Sequence, residues 1–195
     1  MGVVNLASGG LDSSLITMLS LEEGVDVYPL FVDYGQLAAN KEWETCLAVH
    51  EKFGFPEPDY MDLSGFGKLI ISGLTSPEKH IKEEAFTPGR NLLFLLAASS
   101  YAVQKGASAV SIGLLSEELS LFPDQTGVFL GKAELAIEEA MGQKISVVAP
   151  LLEFKKADVI ALAKEKGLIG TYSCHAGAEV PCGECISCME TQIEQ

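Results

Sequence analysis

The sequence is short of positive charge. Lysine and arginine together number 13 against 27 aspartate and glutamate, which leaves a formal charge of −14. Phosphate backbones are held by cations, and affinity follows the number of phosphates neutralised. So acidic a chain is a poor candidate for a large nucleic-acid interface, although one basic groove is compatible with it. Its first consequence is solubility. Long apolar runs are also missing. The longest, Leu92 to Val103, is broken by Ser99, Ser100 and Tyr101 and falls short of the roughly 20 residues that a membrane-spanning helix needs. No basic segment precedes the opening apolar stretch, so a secretory signal is not expected and the reading is of a cytoplasmic protein. Cysteine is scarce outside the tail. Of five, only Cys46 stands elsewhere, in a helical pattern that suits a buried apolar residue. Apolar residues, by contrast, make up 48% of the 195 positions, enough for one domain with a real core.

Strand-like and helix-like runs alternate along the chain. Gly2 to Ala7, Val25 to Val32, Tyr60 to Leu63, Ala109 to Gly113 and Ile145 to Ala149 read as strands. Leu11 to Glu23, Lys41 to Phe53, Asn91 to Lys105, Gly127 to Met141 and Lys156 to Lys166 read as helices, with Asp12 and two serines as cap-type residues at the first. This alternation predicts an α/β fold: an open parallel sheet with helices on both faces. Residues 72–87 break the pattern with Gly73, Pro77 and a mixed-charge stretch, and read as a mobile, lid-like insertion. No repeat and no linker appears. Residues 1–170 are expected to form one domain, with 171–195 as a tail too short for its own core unless it holds a metal.

The segment Ser8-Gly9-Gly10-Leu11-Asp12-Ser13-Ser14 follows the first strand and opens the first helix. Ligands of open parallel sheets sit beyond the carboxyl ends of the strands. The glycines allow close backbone approach, free N–H groups and the helix dipole favour an anion, and the serines add hydroxyls. A phosphate is the natural guest. Asp12 would repel it unless Mg²⁺ lies between them. The lysine of GxxxxGK[ST] and the spacing of GxGxxG are both lacking, so neither of the commoner phosphate loops is present. At the other end, Cys174, Cys182, Cys185 and Cys188 crowd into the tail. Four thiolates can close a tetrahedral zinc site with no open position, hence a structural one, and an iron–sulfur cluster is the other metal reading. His175 is a spare ligand.

SGGLDS after a first strand resembles the pyrophosphate loop of the N-type ATP pyrophosphatases. With the cysteine tail, it is similar to the 7-cyano-7-deazaguanine synthase family of queuosine and archaeosine precursor biosynthesis. Further matches fall in order: Asp33-Tyr34-Gly35-Gln36 like the family's DYGQ, Pro88-Gly89-Arg90-Asn91 like its PGRN, Phe122-Pro123-Asp124 like its YPD, Pro150-Leu151 with Lys156-Ala157 like its PL…KA, and Tyr172-Ser173-Cys174 before the CGxCxxC run. Departures are Leu37 and Ala38 where basic residues are usual, Glu118, Gln125, and Met189-Glu190-Thr191 near the end.

The resemblance implies a Rossmann-type domain of the adenine nucleotide alpha hydrolase kind. It also implies ATP-dependent conversion of 7-carboxy-7-deazaguanine and ammonia to the nitrile, with Mg²⁺, structural zinc and a homodimer. ATP would be bound by Ser8, Gly9, Gly10, Leu11, Asp12, Ser13, Ser14, Tyr34, Gln36 and Arg90. Asp12, Arg90, Lys156 and Asp124 would act in catalysis, Asp124 touching the deazapurine or a metal. On residue chemistry alone, Arg90 is a planar cation suited to phosphate or carboxylate. Lys156 at a helix start stands against the dipole, which asks for an anionic partner. Asn91 suits a helix cap. Two other readings share the loop: a diverged or tRNA-thiolating enzyme of the same superfamily, and a non-catalytic ATP-binding module.

Overall fold

Five short runs with apolar side chains on alternate faces build the centre of the molecule. In the computed structural model of the chain, which describes residues 2–116 and 121–192, β1 (Gly2–Leu6), β2 (Asp26–Asp33), β3 (Asp59–Asp62), β4 (Ala109–Ser111) and β5 (Ser146–Val148) form one sheet in the order β3-β2-β1-β4-β5. Every pairing is parallel. The helices are α1 (Leu11–Glu22), α2 (Ala39–Phe53), α3 (Gly65–Leu69), α4 (Arg90–Lys105), α5 (Gly127–Met141), α6 (Lys156–Glu165) and α7 (Ile186–Gln192).

Strand periodicity sends neighbouring residues to opposite faces. Val4 and Val110 pack with Leu95, Ala98 and Ala102 of α4 and with Leu130, Ala133 and Ile137 of α5. Val3, Val27 and Ala109 turn the other way, toward Leu21 at the end of α1. On that face Leu15 and Ile16 of α1 meet Val49 of α2 and Val159 of α6. Burying each such side chain contributes about 1.5–3 kcal/mol. Helices therefore cover both faces, as the alternation predicts.

The strand order reverses between β1 and β4, and a crevice opens where their carboxyl ends diverge. One buried polar residue ties this point together. Asn5, in the middle of β1, donates from Nδ2 to the Ser13 carbonyl at 3.1 Å and to the Thr17 hydroxyl, and accepts from the Ser111 hydroxyl at 2.8 Å. The end of β1, the first turn of α1 and the end of β4 are thereby held as one unit.

Several boundaries differ from the sequence expectations. β2 runs one residue later because the Val25 amide is taken by the Ser20 carbonyl closing α1. α2 begins at Ala39, not Lys41, since the Ala39 amide already bonds the Gln36 carbonyl. α3 was not expected; its sequence GFGKL carries two glycines and no apolar period. Nor was α7, whose residues read first as metal ligands. No side chain caps α1: Gly10 occupies the N-cap in extended conformation, so Asp12 and the serines are not the caps they resemble. The segment 72–87 is tied at its neck by Ser72 and Thr87 hydroxyls 2.7 Å apart and by Gly73 donating to the Glu84 carbonyl. Among the described residues no helix is long and apolar enough to cross a membrane. Glu118 lies outside the described residues.

Candidate active site

The crevice at the carboxyl ends of β1 and β4 is a cleft of about 320 Å³. Its floor is the loop from Ser8 to Ser13. Gly9 takes φ of +72°, and a Cβ there would lie 2.6 Å from the Cys46 amide nitrogen and 2.9 Å from the Glu42 carbonyl. Only glycine lets the loop rest so closely on α2. Ser13 Oγ donates to the Gly10 carbonyl and accepts from the Ser8 amide, while Ser8 Oγ accepts from the Gly10 amide. The loop is thus preformed, with the start of α1 uncapped and facing the cleft, an arrangement that receives anions. Ser8, Gly10, Leu11, Asp12 and Ser13 line the cleft; Gly9 lies beneath it and Ser14 is buried in the fold.

Lys156 opens α6, where the dipole disfavours a cation. Its partner is Asp12: Nζ lies 2.8 and 3.0 Å from the two carboxylate oxygens. The lysine is buried and the aspartate a quarter exposed, so this pair belongs to the cleft wall. It joins residues 144 positions apart.

Arg90 begins α4 after Gly89, whose φ is +77°. Its guanidinium lies 5.7 Å from the Tyr34 ring centre and 5.8 Å from that of Phe94, and donates to the Tyr34 hydroxyl at 3.4 Å. Burial raises the pKa of Tyr34, and the Arg90 charge opposes it. Gln36 is pinned from both ends: its carbonyl accepts from the Tyr34 amide at 2.9 Å and its amide donates to Glu42 Oε2 at 2.9 Å. Burial pushes the Glu42 carboxyl above its usual range, with the Gln36 hydrogen bond and Arg90 acting against it.

One expectation changes here. Asn91 does not cap its own helix. Its Nδ2 donates to the Asp124 carbonyl at 2.8 Å, and its backbone amide donates to Asp124 Oδ2 at 3.4 Å. Asp124, expected at the substrate or a metal, is the partner of Asn91 and stands beside Asn91 and Gln125, which both line the cleft. It sits in the short 3₁₀ turn Pro123–Gln125 and holds the start of α4 in place. Gln125, one of the departures, accepts the Leu121 and Phe122 amides at 2.9 Å and reaches the cleft wall.

The tail forms the remaining wall. The Tyr172 amide donates to the Gly9 carbonyl at 3.0 Å. Gly177 packs so closely on Leu37 and Ala38 that a Cβ would lie 2.7 Å from the Leu37 carbonyl oxygen. Two residues that depart from the usual basic pair therefore seat the tail. Tyr172, Ser173, His175, Ser187 and Glu190 all line the cleft.

Behind them, the sulfurs of Cys174, Cys182, Cys185 and Cys188 lie within 4.8 Å of one another. Tetrahedral zinc–thiolate bonds of about 2.3 Å set sulfur separations near 3.8 Å, so the cluster is close to ligating size. The amides of Cys182, Cys185 and Cys188 donate to the sulfurs of Cys174, Cys182 and Cys185 at 3.3–3.4 Å. Burial would raise the Cys174 thiol, yet amide hydrogen bonds from Cys182 and Ala176 bring it down to about 7, while burial pushes Cys185 up to about 12. Packed sulfurs of this kind fit a divalent soft-ligand ion, which zinc would satisfy. His175 is not part of the cluster. Its Nδ1 is buried without a hydrogen-bond partner among the described residues, and burial with the nearby Arg90 and Lys156 lowers its pKa to about 4.

Asn5 and Glu42 are site residues that sequence reasoning missed, and Tyr172 and His175 were named there only as part of a motif and as a spare ligand, not as residues of the cleft. Asn5 left one trace, a lone polar residue inside the apolar run VVNLA.

A parallel sheet whose switch-point crevice meets a glycine–serine loop defines the class of nucleotide-handling α/β proteins with a pyrophosphate-type loop. Solved structures agree on the fold. A predicted tRNA methyltransferase subunit from Methanocaldococcus jannaschii matches with TM-score 0.57 at 17% identity, over 85% of this chain and 75% of that one. A 4-thiouridine synthetase in complex with RNA and bound ATP matches with TM-score 0.57 at 23% identity, over 100% of this chain and 50% of the other. The family model of the queuosine biosynthesis protein QueC matches residues 2–192, and the chain belongs to that family. Among its relatives are the 7-cyano-7-deazaguanine synthase of Methanothermobacter thermautotrophicus, 34% identical over 97% of this chain and 91% of that protein, and the 7-cyano-7-deazaguanine synthase 2 of Desulfitobacterium hafniense Y51, 34% identical over 95% and 84%.

Proposed function

We propose that the protein is a 7-cyano-7-deazaguanine synthase: an ATP-dependent ligase that turns 7-carboxy-7-deazaguanine and ammonia into the nitrile. The observation that carries this reading is convergence. A chain matched to the family over residues 2–192 folds so that the opening loop, Arg90, Lys156 and the cysteine-bound tail meet around one cleft.

The chemistry divides into two activations of an oxygen. The substrate carboxylate attacks the α-phosphorus of MgATP and pyrophosphate leaves. Ammonia displaces AMP and loses a proton, giving the amide. The amide oxygen attacks a second ATP, pyrophosphate leaves again, and expulsion of AMP with loss of both nitrogen-bound protons yields the nitrile. The uncapped start of α1 and the hydroxyls of Ser8 and Ser13 hold the leaving pyrophosphate; oriented donors stabilise developing charge without reorganising. Asp12 fixes Lys156 above this loop, so the ammonium faces the same charge. Mg²⁺ would come with the nucleotide, and Asp12 is the carboxylate of the loop that could hold it. Arg90, stacked on Tyr34 and Phe94, is placed for the substrate carboxylate or the α-phosphate. Asp124 acts through Asn91 by fixing the start of α4. Zinc on the four cysteines would hold the tail wall in place and take no part in the reaction. Residues 72–87, whose Leu74 and Ala85 line the cleft, are suited to exclude water from the acyl adenylate.

Cys46, the cysteine outside the tail cluster, does not support sulfur transfer. Cys46 is fully buried and burial pushes its thiol up to about 12, the opposite of an activated cysteine. Incubation with MgATP, ammonia and 7-carboxy-7-deazaguanine, followed by mass spectrometry, tests the reading. Nitrile with two AMP per product is the expected result, and ATP binding without product overturns it.

A further inference from the structure

Two charged side chains in the cleft have no ion-pair partner among the described residues: the Arg90 guanidinium and the Glu42 carboxylate. Arg90 is provided with aromatic faces. Glu42 is the less expected of the two. It is half-buried, lines the cleft, and is held from three directions: its carbonyl lies under Gly9, its amide bonds the Ala38 carbonyl at 2.8 Å, and Gln36 Nε2 holds Oε2. Among the described residues nothing else hydrogen-bonds this carboxylate. It shares the cleft with Tyr34 at the end of β2 and with Tyr172 of the tail. A carboxylate withdrawn from water with no ion-pair contact requires donors.

We propose that Glu42 reads the donor edge of the deazapurine and so selects a ring that carries a 2-amino group. The inference rests on the function proposed above. The edge in question presents a ring N–H and an exocyclic NH₂ side by side, and a carboxylate accepts two parallel donors of that kind. Gln36 fixes the plane of the acceptor before the ring arrives. Phe31, Tyr34 and Phe94 also line the cleft and offer flat apolar surface to a bicyclic ring. The substrate carboxylate, at the far end of the bicycle, is then left for a cation, and Arg90 is the one without a partner. A ribose of the nucleotide is a weaker candidate for Glu42. Its hydroxyls donate and accept alike, so an amide side chain would serve there as well as a carboxylate.

The experiment compares the zinc-loaded wild type with Glu42→Gln by calorimetry. Three probes are used: a non-hydrolysable ATP analogue with Mg²⁺, 7-carboxy-7-deazaguanine in its presence, and the same compound lacking the 2-amino group. Wild type is expected to prefer the amino compound by about ten- to a hundredfold, the value of the one hydrogen bond to a charged acceptor that the 2-amino group supplies. Glu42→Gln should lose that preference to within about threefold while binding the ATP analogue as before. Preference retained in Glu42→Gln overturns the proposal. So does a fall in ATP-analogue affinity with the deazapurine preference intact, which assigns the carboxylate to the nucleotide. Wild type that binds the ATP analogue and neither ring compound refutes the function itself, a result distinct from either. Glu42→Asp, which keeps the charge and withdraws it by one methylene, carries the same test should the glutamine variant not fold.

Discussion

The floor and the far wall of the cleft are built by opposite means. The loop from Ser8 to Ser13 is continuous with β1 and α1, and is fixed by Asn5 beneath it and by the close seat of Gly9 on α2. Its geometry is a consequence of the core. The tail that faces it has little apolar burial of its own; its buried residues are chiefly the cysteines, with Ile81, Tyr172 and Ala176 around them. It is joined to the loop by one backbone hydrogen bond, Tyr172 to Gly9, to Leu37 and Ala38 by contact, and to α2 by the exposed Lys41–Glu179 pair at 2.7 Å. A surface pair of this sort contributes at most about 1 kcal/mol. One half of the site therefore rests on the fold, while the other rests on a cluster of four cysteines that fits a metal, and on the function proposed above it depends on that metal. A structural metal so placed decides whether the cleft has a wall.

That contrast is broken most severely by removing a ligand. Cys185→Ser should lower AMP release by about a hundredfold or more, since displacement of one wall of a site by an ångström already costs about that much. Limited proteolysis should cut the variant near residue 171 while the far-UV circular dichroism of the remainder persists. Full activity in protein shown by elemental analysis to hold no metal would remove the tail from the site altogether. The next largest effect belongs to the floor. Lys156→Met should reduce kcat/KM by about 10²- to 10³-fold, as loss of one charge-stabilising donor does, without disturbing metal content. Adding Asp12→Asn to it should cost much less than the product of the single effects, because the pair acts as a unit.

Legibility in the sequence follows the same division. The loop and the metal cluster are local: both are written in consecutive or closely spaced residues, Ser8 to Ser13 and Cys182, Cys185, Cys188. The alternation of strands and helices was legible for a related reason, since period and punctuation are local properties. What was hidden depends on distance. Nothing in Lys156 or Asp12 announces a partner 144 residues away; the sequence offered only the oddity of a cation at a helix start. Asn91 and Asp124 stood in the expected motifs, yet their joining to one another is a fact of packing. Glu42 and His175 were passed over because each sits in a segment with a blander explanation, a charged helix turn and a cysteine cluster.

A smaller effect sharpens the account of the floor. Gly9→Ala places a methyl group 2.6 Å from the Cys46 nitrogen in a backbone conformation with φ of +72°. Strain of this kind costs about 1–3 kcal/mol, and in a chain of this length each kcal/mol shifts the melting temperature by about 2–4 °C. A fall of about 4–8 °C by differential scanning calorimetry is expected. If zinc content is unchanged and the melting temperature does not move, the loop rests on α2 less closely than described.

The least effect is expected where charge is kept and only shape is lost. Arg90→Lys preserves the cation that the cleft offers, but a lysine cannot lay a plane across Tyr34 and Phe94 or donate in a fork. Arginine–aromatic contacts at partly buried positions are worth about 0.5–2 kcal/mol, so a loss of about two- to thirtyfold follows from 1.4 kcal/mol per tenfold. If Arg90 serves the carboxylate substrate, that loss appears in the KM for 7-carboxy-7-deazaguanine. If it serves the α-phosphate in the transition state, it appears in kcat, because an interaction made only there leaves ground-state binding alone. Steady-state kinetics with each substrate varied separates the two. An unchanged KM and kcat together would mean that the charge alone suffices, and that the stacking on Tyr34 and Phe94 serves the fold of α4 instead of the cleft.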